Sequence, residues 1–229
     1  MKIGGYIPLS LVDYPQRPAI TIFTRGCNLR CPFCHNGELV VGDREGKSEA
    51  AILKFLEQRR DKLDAVCISG GEPTIQPDLD EFIREIRSLG YRIKLDTNGS
   101  KPQVLRELLS KGLLDYVAID IKSSPSRYHL ATGCMLDFDI VADSVEVLKD
   151  GEIAYELRTT AVPGIVDLDD LDVIAGMLGP MKRYVLQQFR PRQTLDPTFE
   201  VVKPYPIIWF EKAKDIFQGQ TGEVIVRGV

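Results

Sequence analysis

Cys27, Cys31 and Cys34 fall within eight residues, in the run Arg25-Gly26-Cys27-Asn28-Leu29-Arg30-Cys31-Pro32-Phe33-Cys34-His35-Asn36. The spacing C-x3-C-x2-C can bring three thiolates to one centre, and it leaves that centre short of a fourth protein ligand. An iron–sulfur cluster held this way keeps one iron open to a group that is not protein. Three other chemistries use similar residues. Cys31-Pro32-Phe33-Cys34-His35 matches the attachment sequence of c-type haem, but such attachment normally belongs to exported proteins and gives Cys27 no role. A zinc tetrahedron could draw on Cys27, Cys31, Cys34 and His35, although zinc sites usually staple two separated segments. A redox dithiol at Cys31 and Cys34 again leaves Cys27 over.

Other chemistry-bearing residues follow apolar runs. Ser69-Gly70-Gly71-Glu72-Pro73 comes directly after Ala65-Val66-Cys67-Ile68. Its two glycines allow close backbone approach, and Glu72 can accept from an ammonium or hydroxyl. Asp96-Thr97-Asn98-Gly99 ends a second run. Successive residues of a strand face opposite ways. In Ile93-Lys94-Leu95-Asp96, the pair Lys94 and Asp96 therefore opposes the apolar pair. In Val117-Ala118-Ile119-Asp120-Ile121-Lys122, the set Ala118, Asp120 and Lys122 opposes the apolar one. In Tyr155-Glu156-Leu157-Arg158, Glu156 and Arg158 do the same. Helices covering the apolar faces would turn these charges inward, and the carboxyl ends of parallel strands are where α/β folds place ligands. A polar cavity walled by Asp96, Asp120, Lys122, Glu156 and Arg158 is expected.

The elements that must position these residues alternate. Strands are predicted at 19–24, 65–69, 92–97, 116–122, 154–160 and 184–189, and helices at 48–61, 79–89, 102–111, 140–149 and 168–177. This pattern implies right-handed crossovers and a parallel sheet. Six strands fall short of a closed eight-stranded barrel, so the expected fold is α/β, an open partial (β/α)6 barrel. The expected organisation is one domain over 1–229, with its core at about 18–190. Residues 191–229 form an extension packed on it, holding a helix at 208–217 and a short strand at 223–226. The 229-residue chain has a net charge of −4 with its basic residues scattered, which argues against nucleic acid as a partner. Glycines and a proline break the first apolar stretch, so neither a membrane nor a signal segment is expected. Five cysteines, an odd number with three clustered, suit metal or redox chemistry in a reducing, cytoplasmic compartment. Cys67 reads as a small buried thiol, Cys134 as a loop residue and His129 as structural.

Taken in order, these motifs resemble one family. The cysteine run with Phe33 before and His35-Asn36 after its last cysteine, Ser69-Gly70-Gly71-Glu72, Leu95-Asp96-Thr97-Asn98-Gly99, Asp120-Ile121-Lys122, and Arg158 with Val162-Pro163-Gly164 are similar to radical S-adenosylmethionine enzymes. Among these the chain most resembles the glycyl-radical-enzyme activating type, in particular the short activating proteins of anaerobic ribonucleoside-triphosphate reductase. The resemblance implies a [4Fe–4S] cluster on Cys27, Cys31 and Cys34, with S-adenosylmethionine on the open iron. Reductive cleavage would yield a 5′-deoxyadenosyl radical that takes hydrogen from a glycine of a partner protein.

By the same resemblance Gly70, Gly71 and Glu72 meet the methionine amino end, and Lys122 and Arg158 its carboxylate. Phe33 contributes backbone contacts near the adenine, and Asn98 and Gln188 join the cofactor-binding set. Gln188 stands where some activases carry a histidine, and Gln16 where a glycine is usual; Asp13 falls on the partner side. Asp96, Thr97, the Ala118 carbonyl and Asp120 match positions that hold a monovalent cation, for which hard oxygen donors are suited. The implied partners are a glycyl-radical protein and an electron donor such as flavodoxin or ferredoxin. A radical enzyme acting on a small molecule, similar to 7-carboxy-7-deazaguanine synthase, and a zinc-binding interaction module are the alternatives.

Overall fold

The computed structural model describes residues 1–42 and 46–229. The chain forms two compact units, each assembled from separated stretches: Met1–Asn28, Glu38–Thr97 and Lys101–Ala118 in the first, and Leu29–Gly37, Asn98–Ser100 and Ile119–Val229 in the second. Along the chain the elements are β1 (Ile3–Ser10), β2 (Ala19–Thr24), α1 (Gly37–Val41), α2 (Glu49–Glu57), β3 (Ala65–Gly70), α3 (Leu79–Ser88), β4 (Arg92–Thr97), α4 (Pro102–Ser110) and β5 (Tyr116–Asp120). They continue with α5 (Tyr128–Thr132), α6 (Phe138–Lys149), β6 (Ala154–Ala161), α7 (Leu168–Leu178), β7 (Met181–Gln188), α8 (Ile207–Ile216) and β8 (Thr221–Arg227). The sheet orders its strands as the sequence does, from β1 to β8.

In the first unit, β2 pairs in parallel with β3 from Ala19↔Ala65 to Thr24↔Gly70, and β3 with β4 from Ala65↔Arg92 to Ile68↔Leu95. These strands are buried on both faces, as a parallel sheet with crossover helices requires. The helices start and face as their sequences dictate. Ser48 caps α2 by accepting from the Ala51 N–H, Pro102 opens α4, and α3 buries Leu79, Phe82, Ile83 and Ile86 at helical spacing.

The six alternating strands expected from the sequence correspond to β2 through β7. Three details differ. β1 is an additional strand, antiparallel to β2 with two register irregularities. Its Gly4, Gly5 and Pro8 masked it, and a strand at the start of the sheet order tolerates a proline that a central one would not. β5 stops at Asp120, so Lys122 lies in the loop beyond rather than on the strand. β7 begins at Met181, earlier than expected, because its first turns of chain are polar and semi-exposed.

In the second unit, β6 pairs in parallel with β7 and β7 with β8. The expected short terminal strand is thus a full partner of the sheet, running to Arg227. Its last side chain closes on Glu156 of β6, which has no exposed surface. Arg227 donates from Nη1 to Oε1 at 3.1 Å and from Nη2 to Oε2 at 2.9 Å. A buried carboxylate stripped of such a partner is strongly penalised. Arg227→Met should lower stability by about 3 kcal/mol, read as a lower urea midpoint; an unchanged midpoint would show that Glu156 does not depend on the pair.

Candidate functional site

The cysteines sit in a loop whose shape is set by main-chain bonds. All three are free thiols, Cys31 buried and Cys27 and Cys34 half-buried. The Cys34 N–H donates to the Cys31 carbonyl at 3.1 Å, closing a turn. Within the second unit this turn is held from two sides. The Arg30 N–H donates to the Thr132 carbonyl at 2.7 Å, and the N–H groups of Leu195 and Asp196 donate to the carbonyls of Cys34 and Pro32 at 2.9 and 2.8 Å. Phe33 is buried, its ring 6.4 Å from that of Phe199. The extension beyond the expected core includes a 3-10 turn at Pro197–Val201, and just before it the backbone frames the cysteine loop. The His35 ring packs 6.0 Å from that of Phe189, and burial lowers its pKa against a hydrogen bond to the Arg192 backbone.

The first unit carries Cys27, Gly70, Gly71, Glu72, Asp96, Thr97 and Ala118. The glycines answer a need of the chain itself. A Cβ at Gly70 would lie 2.4 Å from the Thr24 nitrogen, and one at Gly71 would lie 2.0 Å from the Gly26 carbonyl oxygen. The Gly71 and Glu72 N–H groups donate to Thr24 and Gly26, each at 2.9 Å. This turn thus braces the segment leading into Cys27. Glu72, 1% exposed, caps it: Oε1 accepts from the Thr74 N–H at 3.0 Å, the Thr74 hydroxyl at 2.5 Å and the Thr97 hydroxyl at 2.7 Å. Asp96 pairs with Lys94, whose ammonium lies 5.8 Å from the Tyr116 ring centroid. Lys94 and Asp96 thus share one face of β4, and Lys94 supplies a cation to Asp96 from within the chain.

The second unit carries Cys31, Phe33, Cys34, Asn98, Asp120, Lys122, Arg158 and Gln188. Asp120 accepts from Arg158 Nε at 2.8 Å and from Lys122 Nζ at 3.0 Å. Arg158 Nη1 is also 3.9 Å from Glu156. Burial alone would raise the Asp120 pKa, but the two cations outweigh it and hold the carboxyl well below the usual range. Burial alone would lower Lys122, and here Asp120 and the Cys31 thiol win, keeping it protonated. Asn98 makes a local turn, its Oδ1 accepting from the Ser100 N–H at 2.9 Å. Gln188 donates to the Tyr205 carbonyl at 2.7 Å. Its Oε1 is buried and meets no donor among the described residues. Native proteins leave few such atoms, so it suits a polar group that the protein does not itself provide. Arg227 was not legible as the partner of Glu156, since no motif contains it.

Residues 21–175 match the pattern of the radical SAM superfamily. The chain belongs to that superfamily. Radical SAM enzymes use a [4Fe–4S] cluster and S-adenosylmethionine, chemistry that the three free thiols suit. A Methanocaldococcus jannaschii protein named provisionally as a glycyl-radical enzyme activating enzyme is 34% identical over 203 residues, covering 86% of this chain and 84% of the relative. A Pyrococcus abyssi protein named, also provisionally, as a GTP 3′,8-cyclase is 31% identical over 171 residues, covering 72% of this chain and 55% of that one. Among solved structures, Streptococcus suis SuiB bound to precursor peptide SuiA superposes with a TM-score of 0.72 at 16% identity, covering 91% of this chain and 48% of SuiB. That likeness concerns the fold alone, and it is the partial barrel that the strand count implied.

The radical SAM loop bearing Lys122 is fixed by neighbours from α7. Ser124 donates to Asp170, Arg127 reaches Asp167 at 3.1 Å and Asp170 at 2.9 Å, and the Asp167 N–H donates to Asp170 at 2.9 Å. Burial would raise the Asp170 pKa, but these donors together hold it below its ordinary value. A carboxyl depressed by folding adds stability above its unfolded pKa of about 4 and loses it as pH falls through the folded value. Asp170→Asn should cost about 2 kcal/mol at neutral pH. Urea midpoints of the two proteins should converge below pH 4, and a constant gap down to the lowest pH would contradict the assignment.

Proposed function

We propose that this radical SAM enzyme activates a glycyl-radical protein, and that its partner is an anaerobic ribonucleoside-triphosphate reductase. The observation that carries the activase reading is the end-to-end likeness to the Methanocaldococcus jannaschii relative, which spans most of both chains. In this reading Cys27, Cys31 and Cys34 hold the cluster. When bound, the cluster and S-adenosylmethionine supply one-electron cleavage of a carbon–sulfur bond and the hydrogen-atom abstraction that follows.

The chain's own residues bind and orient. Arg158 and Lys122 are cations already directed by Asp120, and their charge and N–H groups suit them to a carboxylate. Lys122 also places positive charge near Cys31 and Cys34. Glu72, pinned by Thr74 and Thr97, fixes the turn after β3, so Gly70 and Gly71 can offer backbone groups to an amino end. Gln188 Oε1 is an acceptor of the kind an exocyclic amine requires, and Phe33 and Asn98 complete the cofactor wall. Asp96, Thr97, Ala118 and Asp120 are the oxygen donors a monovalent cation would take, although Lys94, Lys122 and Arg158 already balance the two carboxylates. A small one-electron protein such as flavodoxin or ferredoxin would supply the reductant. No helix among the described residues is long and apolar enough to cross a membrane.

A second reading, radical chemistry on a small molecule, is favoured by the Pyrococcus abyssi relative. The two separate experimentally. After anaerobic reconstitution with iron and sulfide, the reduced protein should cleave S-adenosylmethionine to 5′-deoxyadenosine, and Cys34→Ala should fall to background. Mixed with an anaerobic ribonucleotide reductase, it should then produce a glycyl-radical doublet in the electron paramagnetic resonance spectrum. Cleavage without any protein radical would favour the small-molecule reading, and a protein that takes up no cluster would remove both.

A further inference from the structure

Lys94 carries its charge inside the fold. It is 1% exposed, and a buried ammonium has to be met by an opposite charge or by strong acceptors. The sheet of the first unit decides what meets it. Lys94 stands beside Cys67 in the β3–β4 register, and Lys94 and Asp96, two residues apart on β4, leave the same face. The ammonium donates to Asp96 Oδ1 and lies 4.0 Å from the Cys67 sulfur and 5.8 Å from the Tyr116 ring centroid. Neighbours from β3 and β5 thus flank the side chain, and it reaches along β4 toward the carboxyl end of the strand.

Asp96 is also one of the two carboxylates that a monovalent cation would take at the cofactor. Neither carboxylate awaits such an ion. Within the first unit Asp96 is engaged by Lys94, and within the second Asp120 is engaged by Arg158 and Lys122. A cation seated on Asp96 would stand next to the Lys94 ammonium, and like charges shielded from water repel strongly. The donor set therefore does not fit a free monovalent ion. A lysine ammonium is itself a compact point charge, and it needs no ion from solution because it is tethered to the chain.

We propose that the Lys94 ammonium is the working counter-ion of Asp96 and takes the place of that monovalent cation, so that cleavage of S-adenosylmethionine by this protein needs neither sodium nor potassium. This rests on the reading of Asp96 as a residue of the cofactor site. Lys94 is then a positioning residue, acting through Asp96.

Lys94→Met keeps the length of the side chain and removes its charge, leaving Asp96 open to an ion. Wild type and variant are compared in potassium, sodium and choline chloride at one ionic strength and at about pH 8, well above the ordinary carboxyl pKa. Choline is too bulky for a buried cation site. The melting temperature of the cluster-free wild type should be the same in all three salts. That of the variant should be lower in choline and should rise with potassium or sodium, as expected of an ion that binds only the folded state. In the reconstituted proteins, 5′-deoxyadenosine formation by wild type should not depend on the salt. The variant should be slower by about tenfold or more in choline and should recover in potassium or sodium. Adding Asp96→Asn to Lys94→Met should abolish both ion responses. Faster cleavage by wild type in potassium or sodium than in choline would overturn the proposal. So would a Lys94→Met protein that responds to neither ion, or a response that survives Asp96→Asn. If Lys94→Met folds in none of the salts, the wild-type cleavage series decides alone. A wild type that cleaves no S-adenosylmethionine in any salt would instead remove the cofactor-site reading, and the melting series would still judge the Lys94–Asp96 pair.

Discussion

Buried charge has to be compensated where it lies, and the second unit is organised around that requirement. Glu156 lies within β6 with no exposed surface, where an unpaired carboxylate would be untenable. Arg227 answers it from β8 and Arg158 stands close on the same strand. Arg158 also grips Asp120 at the end of β5, and Asp120 grips Lys122 in the loop beyond. The signs alternate along this line from the last strand to the neighbourhood of Cys31. Each member fixes the next, so the position of Lys122 depends on a line of residues that runs back to Arg227. Ion pairs of this kind add little net stability over an apolar core, and conformational definition is a better account of their presence.

Much of this was legible in the sequence because strand geometry has a period of two. Lys94, Asp96, Asp120, Glu156 and Arg158 stood opposite apolar residues on strands flanked by helices; Lys94 and Glu156 are buried, and the other three are half-buried. The cysteines were legible from spacing alone. β1 was not, because Gly4, Gly5 and Pro8 depress strand propensity and only pairing with β2 compensates. Arg227 was not, because its partner lies far off in sequence and it belongs to no motif. Gly70 and Gly71 were legible as sites of close approach, yet the neighbour they meet is the Thr24–Gly26 backbone.

The frame around the cysteine loop illustrates a general limit. Arg30, Leu195 and Asp196 act through main-chain N–H groups, which every residue but proline possesses, so side-chain identity carries no trace of the arrangement. Yet these bonds give the loop its rigidity, and a ligand constellation is only as well defined as the backbone beneath it. Radical SAM chemistry belongs to the cofactors. What this chain contributes is placement: thiols on a clamped turn and cations on a charge line.

That clamp also has a bearing on biosynthesis. Chains emerge from the ribosome N-terminus first and fold as their parts become available. The three thiols emerge before Leu195 and Asp196, which hold the carbonyls of Cys34 and Pro32. A nascent chain therefore carries every cysteine of the loop well before it carries the backbone that shapes them, and the loop takes its final form only after Leu195 and Asp196 have been made.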